Sequence, residues 1–390
     1  MTDFCNHQRR RLVLGLAAAP LLLYGGKARP SARPWTMTLT GQALIAHDFC
    51  REGYPGLTDV MHEVQRGAIA MTDLEAAIRV DGSGIPSREG MFLHVADTRV
   101  LRCLRQFGFD MLALANNHAG DFGRDGILAT RQAAREAGFQ TAGSGRNLAE
   151  ASKAARFVAE AQAVSLIAMA TGKIRPGAAA TSSLPGINEL RLASPGQLDS
   201  ADVARILASI REAARSTRVV VCLHNHDWGD DMRVTRNWTR VFAHNCIEAG
   251  TSAFFAHGAP LLQGIELHRG APIFYCLGSL IFHSRTAPGF YTPEVWESAI
   301  AHLHYRSDHL DRIELVPIML NERGDDATRQ NGTRGRPRVA LDEDAQRILV
   351  RLQARSEQFG TSMQICGNRG WITLNRTSSH SGALFRKHLQ

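Results

Sequence analysis

The chain is 390 residues long and 44% hydrophobic, which is material for a buried core and not the composition of a disordered chain. Its 45 basic residues exceed its 37 acidic ones by eight, and residues 1–32 hold Arg9, Arg10, Arg11, Lys27 and Arg29 against Asp3 alone. The small remainder forms no basic stripe interleaved with aromatics, which speaks against nucleic acid as a partner, and no run of 18 uncharged apolar residues offers a transmembrane span.

In chain order, Arg9-Arg10-Arg11 directly precedes a short apolar run from Leu12 to Tyr24. That run has the length of a signal's apolar part, and the paired arginines resemble a twin-arginine export signal. Residues 1–32 are therefore expected to be a signal peptide, with the mature protein in the periplasm or on the extracellular surface. Strands are predicted over Met37–Ile45, Ala68–Thr72, Asp110–Ala115, Val164–Ala170, Arg218–Leu223, Ser252–Ala256 and Pro272–Leu277, each a short apolar or β-rich run bounded by turn residues. Helices are predicted over Asp97–Gly108, Arg124–Gly138, Asp199–Ser216, Asn237–Gly250 and Asp342–Phe359. Ile265–Leu267 and Ile273–Tyr275 read as a hairpin, so the sheets should be mixed. Thr171–Leu192 reads as a long surface loop, a class that is usually functional or mobile. Glu322–Arg338 is polar and reads as an exposed connection. Alternating strands and helices point to a layered α/β domain. Six of the seven cysteines lie beyond the signal, none in a Cys-x-x-Cys pair, and no disulfide framework is expected.

The polar clusters fall at the ends of predicted strands. Gln42 lies in or at the end of the first with His47 and Asp48 just beyond, Asp73-Leu74-Glu75 ends the second and Asn116-Asn117-His118 with Asp121 the third. His224-Asn225-His226-Asp227-Trp228 and His257 close two later ones. Ligands of α/β sheets bind beyond the carboxyl ends of the strands. Imidazoles, a carboxylate and amide carbonyls suit a divalent ion such as Mn, Zn or Fe. His224 and His226, two apart in an extended strand, share a face. Asp121, three residues after His118, is placed to orient that imidazole. Taken singly, each cluster has a plainer reading: Asn116-Asn117 as a helix cap, Glu75 as a surface carboxylate, Trp228 as core or pocket wall. His47, His94, His268, His283, His302, His304 and His309 are read as structural.

These motifs resemble the CapA family, the poly-γ-glutamate capsule synthesis proteins. The resemblance is carried by Asp73-Leu74-Glu75, Ala115-Asn116-Asn117-His118, His224-Asn225-His226-Asp227-Trp228-Gly229, His257, and Gly264-Ile265-Glu266 through Pro272-Ile273-Phe274-Tyr275-Cys276-Leu277-Gly278-Ser279. It implies a four-layer αββα metallophosphatase-like (calcineurin-like) sandwich over residues 33–321, with residues 322–390 forming a polar connection and a helix packed on the same domain. It implies Glu75, Asn116, His118, His224, His226 and His257 as metal ligands, His118 and Asp121 as catalytic, and Asn117, Asn225 and Trp228 as substrate-binding. Four positions depart from the family pattern: Gln42 replaces its first Asp, Pro260 its last His, Asp73 the Asn before Leu-Glu and Ser279 a late Asn. With two ligands lost, one ion is expected rather than two, or none. The expected substrate is an anionic polymer such as poly-γ-glutamate or a small phosphoester, attacked by water, with capsule-synthesis membrane proteins as partners. The alternative is a non-catalytic polymer-binding or assembly protein with a degenerate metal site.

Overall fold

The computed structural model describes residues 33–88, 92–159, 162–324 and 333–374. The expected signal at 1–32, the middle of the polar connection and the last sixteen residues lie outside the described residues. Two sheets stack face to face. The larger has nine strands and runs Gln364–Cys366, Arg369–Thr373, His309–Leu320, Glu297–Arg306, Trp35–Leu39, Ile69–Asp73, Met111–Ala113 and Gln140–Ala142, with Pro337–Val339 pairing beside His309–Leu320. The smaller runs Ile265–His268, Ala271–Phe274, Thr251–His257, Arg218–Asn225, Gln162–Thr171 and Ala155–Ala159.

Both sheets are mixed. Trp35–Leu39 is parallel to Ile69–Asp73 and antiparallel to Glu297–Arg306. In the smaller sheet Gln162–Thr171, Arg218–Asn225, Thr251–His257 and Ala271–Phe274 are parallel neighbours. Ile265–His268 then returns antiparallel through a two-residue turn, in which Arg269 and Gly270 both have positive φ, the geometry that matches strand twist in a tight hairpin.

The inner faces meet in one apolar cluster. Met37, Leu39, Ile69, Met71 and Met111 come from one sheet, and Val164, Leu166, Val220, Cys222 and Phe255 from the other. Outside the larger sheet, helices Leu57–Gln65, Arg99–Phe107 and Gly123–Glu136 supply Val60, Val64, Leu101, Leu104 and Ala134 to a second cluster. Outside the smaller sheet, Ser200–Ala214 and Asn237–Glu248 supply Ile206, Ile210, Phe242 and Cys246 to a third. The result is the four-layer αββα α/β arrangement. Strands covered on both faces read as continuous apolar runs, as Val219 to Leu223 does. The helix Asp342–Glu357 sends Ile348, Leu349 and Leu352 into the inter-sheet cluster.

Local signals account for several boundaries. Asp199 caps Ser200–Ala214 by accepting from the Asp202 amide at 2.9 Å. Gly108 closes Arg99–Phe107 in the left-handed conformation. Two expectations are corrected. Cys50 and Cys103 form a disulfide, their Cα atoms 5.4 Å apart and 53 residues apart in sequence, a pairing that spacing alone does not reveal. Thr171–Leu192 is not simply a surface loop: Ala178, Ile187 and Leu190 are buried, and Gly186–Ile187 pairs with Ser144–Gly145.

Candidate functional site

The carboxyl ends of strands from both sheets meet at one edge. Asp73 is the last residue of its strand, and Asn116, Asn117 and His118 follow Met111–Ala113. His224 and His257 sit side by side in parallel register on the smaller sheet. The sheets are tied across the seam by Asp73, whose Oδ2 lies 2.6 Å from His224 Nδ1. His224 Nε2 then faces Asn117 Oδ1 at 2.8 Å and Glu75 Oε1 at 3.7 Å, and Glu75 Oε1 lies 4.0 Å from His226 Nε2. Gly258, directly after His257, has φ +103°, and a Cβ there would lie 2.0 Å from the Asn225 carbonyl oxygen, so the chain can turn away from His257 only at a glycine.

A second set adjoins the first. His118 Nδ1 lies 2.7 Å from Asp121 Oδ2, which also accepts from the His94 amide at 2.7 Å. Asp121 Oδ1 accepts from Arg175 Nε and Nη2 at 3.2 and 3.1 Å. A carboxylate held on both oxygens fixes the ring and leaves His118 Nε2 for other work. His226 packs 4.5 Å from the Trp228 ring, and the Lys173 ammonium lies 4.9 Å over that indole.

Burial sets the protonation states. It pushes His224 down to about 3, reinforced by His118, and His257 down to about 4 against the opposing pull of Asp73. His226 is driven well below its ordinary value for the same reason. Burial raises Asp73 to about 7, with His257, Asn116 and His118 opposing, and it raises Glu75 well above the carboxylate range, with Asp73 and Asp121 adding to the effect. Neutral imidazoles keep lone pairs for a cation, and crowded carboxyls want one. Both ring nitrogens of His257, both of His226 and Oε2 of Glu75 are buried without a hydrogen-bond partner. Buried polar atoms are nearly always satisfied. Glu75, His224 and His226 have ligand atoms within 4.8 Å of one another. The residues present therefore fit a divalent ion.

Of the expected ligands, Glu75, His224, His226 and His257 come together with free or facing donor atoms. Asn116 is engaged elsewhere: its amide donates to Asp73 Oδ1 and the Leu74 carbonyl, and its Oδ1 accepts from the His118 amide. Asn117, expected to touch substrate, is the amide that faces His224. Asn225, also expected at the substrate, instead accepts from the Asp227 amide at 2.7 Å in a local turn. Trp228 lines the site as a wall. Gln42 lies beside the cluster, but its Oε1 is spent on the Gly258 amide at 2.9 Å. Its neighbour in register is Ser279, another departing position. Asp73, offered as a replacement charge, sits behind His224 with both oxygens used. Pro260 is buried in the turn after Gly258. The sequence reading missed Arg175 and Lys173; two cations just after the end of a long strand, inside a Gly/Pro-rich segment, were the available signal.

Residues 36–284, more than half of the chain, match the model of the family described as bacterial capsule synthesis protein PGA_cap. The chain belongs to that family. An uncharacterized protein of Sinorhizobium fredii, y4sH, is 25% identical over 87% of this chain and 93% of its own length. A probable polyglutamine synthesis accessory protein of Mycobacterium tuberculosis is 30% identical over 55% of each chain. The PGA biosynthesis protein CapA of Bacillus subtilis is 28% identical over 57% of this chain and 54% of its own. With these last two PGA_cap relatives the match spans about half of each protein. Among the described residues, no helix is long and apolar enough to cross a membrane.

Proposed function

We propose that this PGA_cap protein is an exported, metal-dependent hydrolase acting on an anionic extracellular polymer of the polyglutamate type, at the edge where His224, His226, His257 and Glu75 meet. The observation that carries this reading is the set of buried, partnerless donor atoms on His257, His226 and Glu75, placed beside a His118–Asp121 pair. Glu75, His224, His226 and His257 would hold the ion, with Asn117 beside them. A divalent ion held there supplies an activated water and polarises the bond to be cleaved. Asp73 keeps the His224 ring turned toward the ligand set. Asp121 holds His118 so that Nε2 can give a proton to the leaving amine or alkoxide, a role that typically contributes ~10²–10⁴ in rate. Arg175 and Lys173 add positive charge at the same edge, which favours anionic substrates. The relatives named for capsule and polyglutamine synthesis support the substrate class, and the Cys50–Cys103 bond supports an oxidising compartment.

A second reading keeps the fold but not the chemistry. It is favoured by Gln42, whose carbonyl oxygen is committed to Gly258 and brings no charge to the site. One experiment separates the two. Protein purified from its own compartment is analysed for metal and assayed on phosphoesters and γ-glutamyl amides. The hydrolase reading expects about one equivalent of a divalent ion, lost in His257→Ala and Glu75→Gln, with turnover that chelation abolishes. Gln42→Asp should then raise metal affinity or stoichiometry. A metal-free protein that binds polyglutamate without cleaving it rejects the hydrolase and leaves the assembly role.

A further inference from the structure

We propose that Arg285, held over the Phe92 ring, binds a carboxylate of the substrate on the leaving-group side of the bond that His118 serves. The proposal rests on the hydrolase reading and names what the substrate carries beside the cleaved bond. Arg285 lies just beyond the strand Ser279–Phe282, which pairs in parallel with Gln42–Leu44. Its guanidinium carbon is 5.2 Å from the Phe92 centroid. The Phe92 ring in turn stands nearly at right angles to His118, with centroids 5.9 Å apart. His94 completes the corner, its ring 5.6 Å from Phe92 and 5.5 Å from His118. Burial, then His118, then Arg285 hold the His94 imidazole well below its ordinary value, so the Arg285 charge is felt beside His118.

Two features separate Arg285 from an ordinary solvated arginine. It is exposed, and among the described residues it has no carboxylate partner, whereas Arg175 is clamped on Asp121. Its backbone is also held on both sides. Arg334 is buried against the Trp296 ring and donates to the carbonyls of Ser284 at 3.5 Å, Ala287 at 3.4 Å and Thr286. A buried cation thus fixes the turn that carries Arg285, and the contact with Phe92 holds the side chain over an exposed aromatic face. Ordering a long side chain in advance lowers the cost of binding with it.

The reach suits a carboxylate next to the leaving nitrogen. Both ring distances meet at Phe92, so the guanidinium lies within about 11 Å of the His118 ring. A hydrogen bond of about 3 Å, two covalent bonds of about 1.5 Å each and a guanidinium–carboxylate pair of about 4 Å span roughly that distance. In the cleavage of an amide, water adds its hydroxyl to the carbonyl carbon, the C–N bond breaks, and the water's proton ends on the nitrogen by way of His118 Nε2. In a γ-linked glutamyl chain the carbon bearing that nitrogen also bears a free carboxylate. Arg285 is placed to take it in the two-pronged geometry that guanidinium favours.

The test uses the full-length metal-loaded protein and two γ-glutamyl oligomers. In one, the residue that leaves has its carboxylate on the carbon beside the nitrogen; in the other, that group is a carboxamide. Wild type should favour the carboxylate in kcat/KM by about tenfold or more. Arg285→Gln should bring the ratio near one, and Arg285→Lys should recover part of it. Lys173→Gln, at the other cation beside the site, should weaken both substrates and keep the ratio. Circular dichroism checks that the variants are folded. A wild type with no preference, or an Arg285→Gln ratio equal to that of wild type, overturns the proposal. Cleavage of neither oligomer rejects the hydrolase reading, and the subsite is then read from calorimetric binding of the same pair. There, tighter binding of the carboxylate form that Arg285→Gln abolishes supports it, and equal affinity of wild type for both forms overturns it.

Discussion

His118 is defined by what stands behind it. Its Nδ1 faces Asp121, and Asp121 is clamped by Arg175 and the His94 amide, so the ring has one orientation available. Asp121→Asn keeps the shape but removes the charge that fixes which nitrogen carries the proton. On the hydrolase reading, it should lower kcat by roughly 10²-fold or more with little change in KM, as measured on the best substrate of the panel. An unchanged kcat would remove His118 as the proton donor. The histidines that meet at the seam were legible in the sequence because imidazoles after strands signal their own position. The division of labour between Asn116 and Asn117 was not. Neighbouring amides carry the same chemistry, and only the backbone decides which one turns toward His224. Asp73 was similarly opaque, since a carboxylate next to Glu75 gives no sign that it will face away and hold a ring from the opposite sheet.

The elements most clearly written in the sequence are those buried on both faces, such as Arg218–Asn225, and those closed by glycine, such as Arg99–Phe107. The hairpin of Glu297–Arg306 and His309–Leu320 was missed, because its outer face carries charge where an apolar alternation would be expected. His302 and His304 meet Glu63 and Glu314 there, with Arg66 and Arg369 completing the network. Burial pushes the Glu63 carboxyl up, but His302 and Arg66 hydrogen bonds and the Arg369 charge outweigh it and hold it down at about 2. A carboxyl lowered on folding stabilises the protein above its ordinary value of 4.5, and that contribution is lost as the pH falls toward 2. Glu63→Gln should therefore cost roughly 2 kcal/mol at pH 7, less than a fully buried pair because Arg66 and Arg369 keep about 30% exposure. The deficit should shrink below pH 4.5, and denaturant melts at pH 7 and pH 3 measure both. A different element-scale test is Gly258→Ala. The positive φ and the contact with the Asn225 carbonyl leave no room for a methyl group, so the turn must move and carry His257 with it. A loss of roughly 2 kcal/mol or more, with weakened metal binding, is expected, and a wild-type melt would show that the turn tolerates the methyl.

At the scale of the whole molecule, the four layers bring strand ends from two separate sheets to one seam, and a disulfide ties the approach to one of them. Cys50 lies in the segment after Gln42–Leu44 and Cys103 in Arg99–Phe107, so the bond joins this segment to the helix layer. Closing a loop of 53 residues limits the unfolded chain by an amount near ~4 kcal/mol in the chain-entropy treatment, with measured values commonly lower. Formation of that bond depends on the compartment, since cytosolic thiols are kept reduced. The sequence at Arg9-Arg10-Arg11 makes the dependence testable. If the chain is exported by the twin-arginine route, replacing Arg10 and Arg11 by Lys should hold it in the cytoplasm as precursor. Cys50 and Cys103 should then be alkylated by a thiol reagent before any reductant is added, whereas in the exported protein they should be protected. The retained form, and Cys50→Ser/Cys103→Ser in the exported form, should unfold at denaturant concentrations equivalent to a loss of about 2–4 kcal/mol. A retained precursor with the bond fully formed would break the link between export and the disulfide. Normal processing of the twin-lysine variant would instead remove the twin-arginine route while leaving the disulfide's contribution to stability to stand on the serine variants.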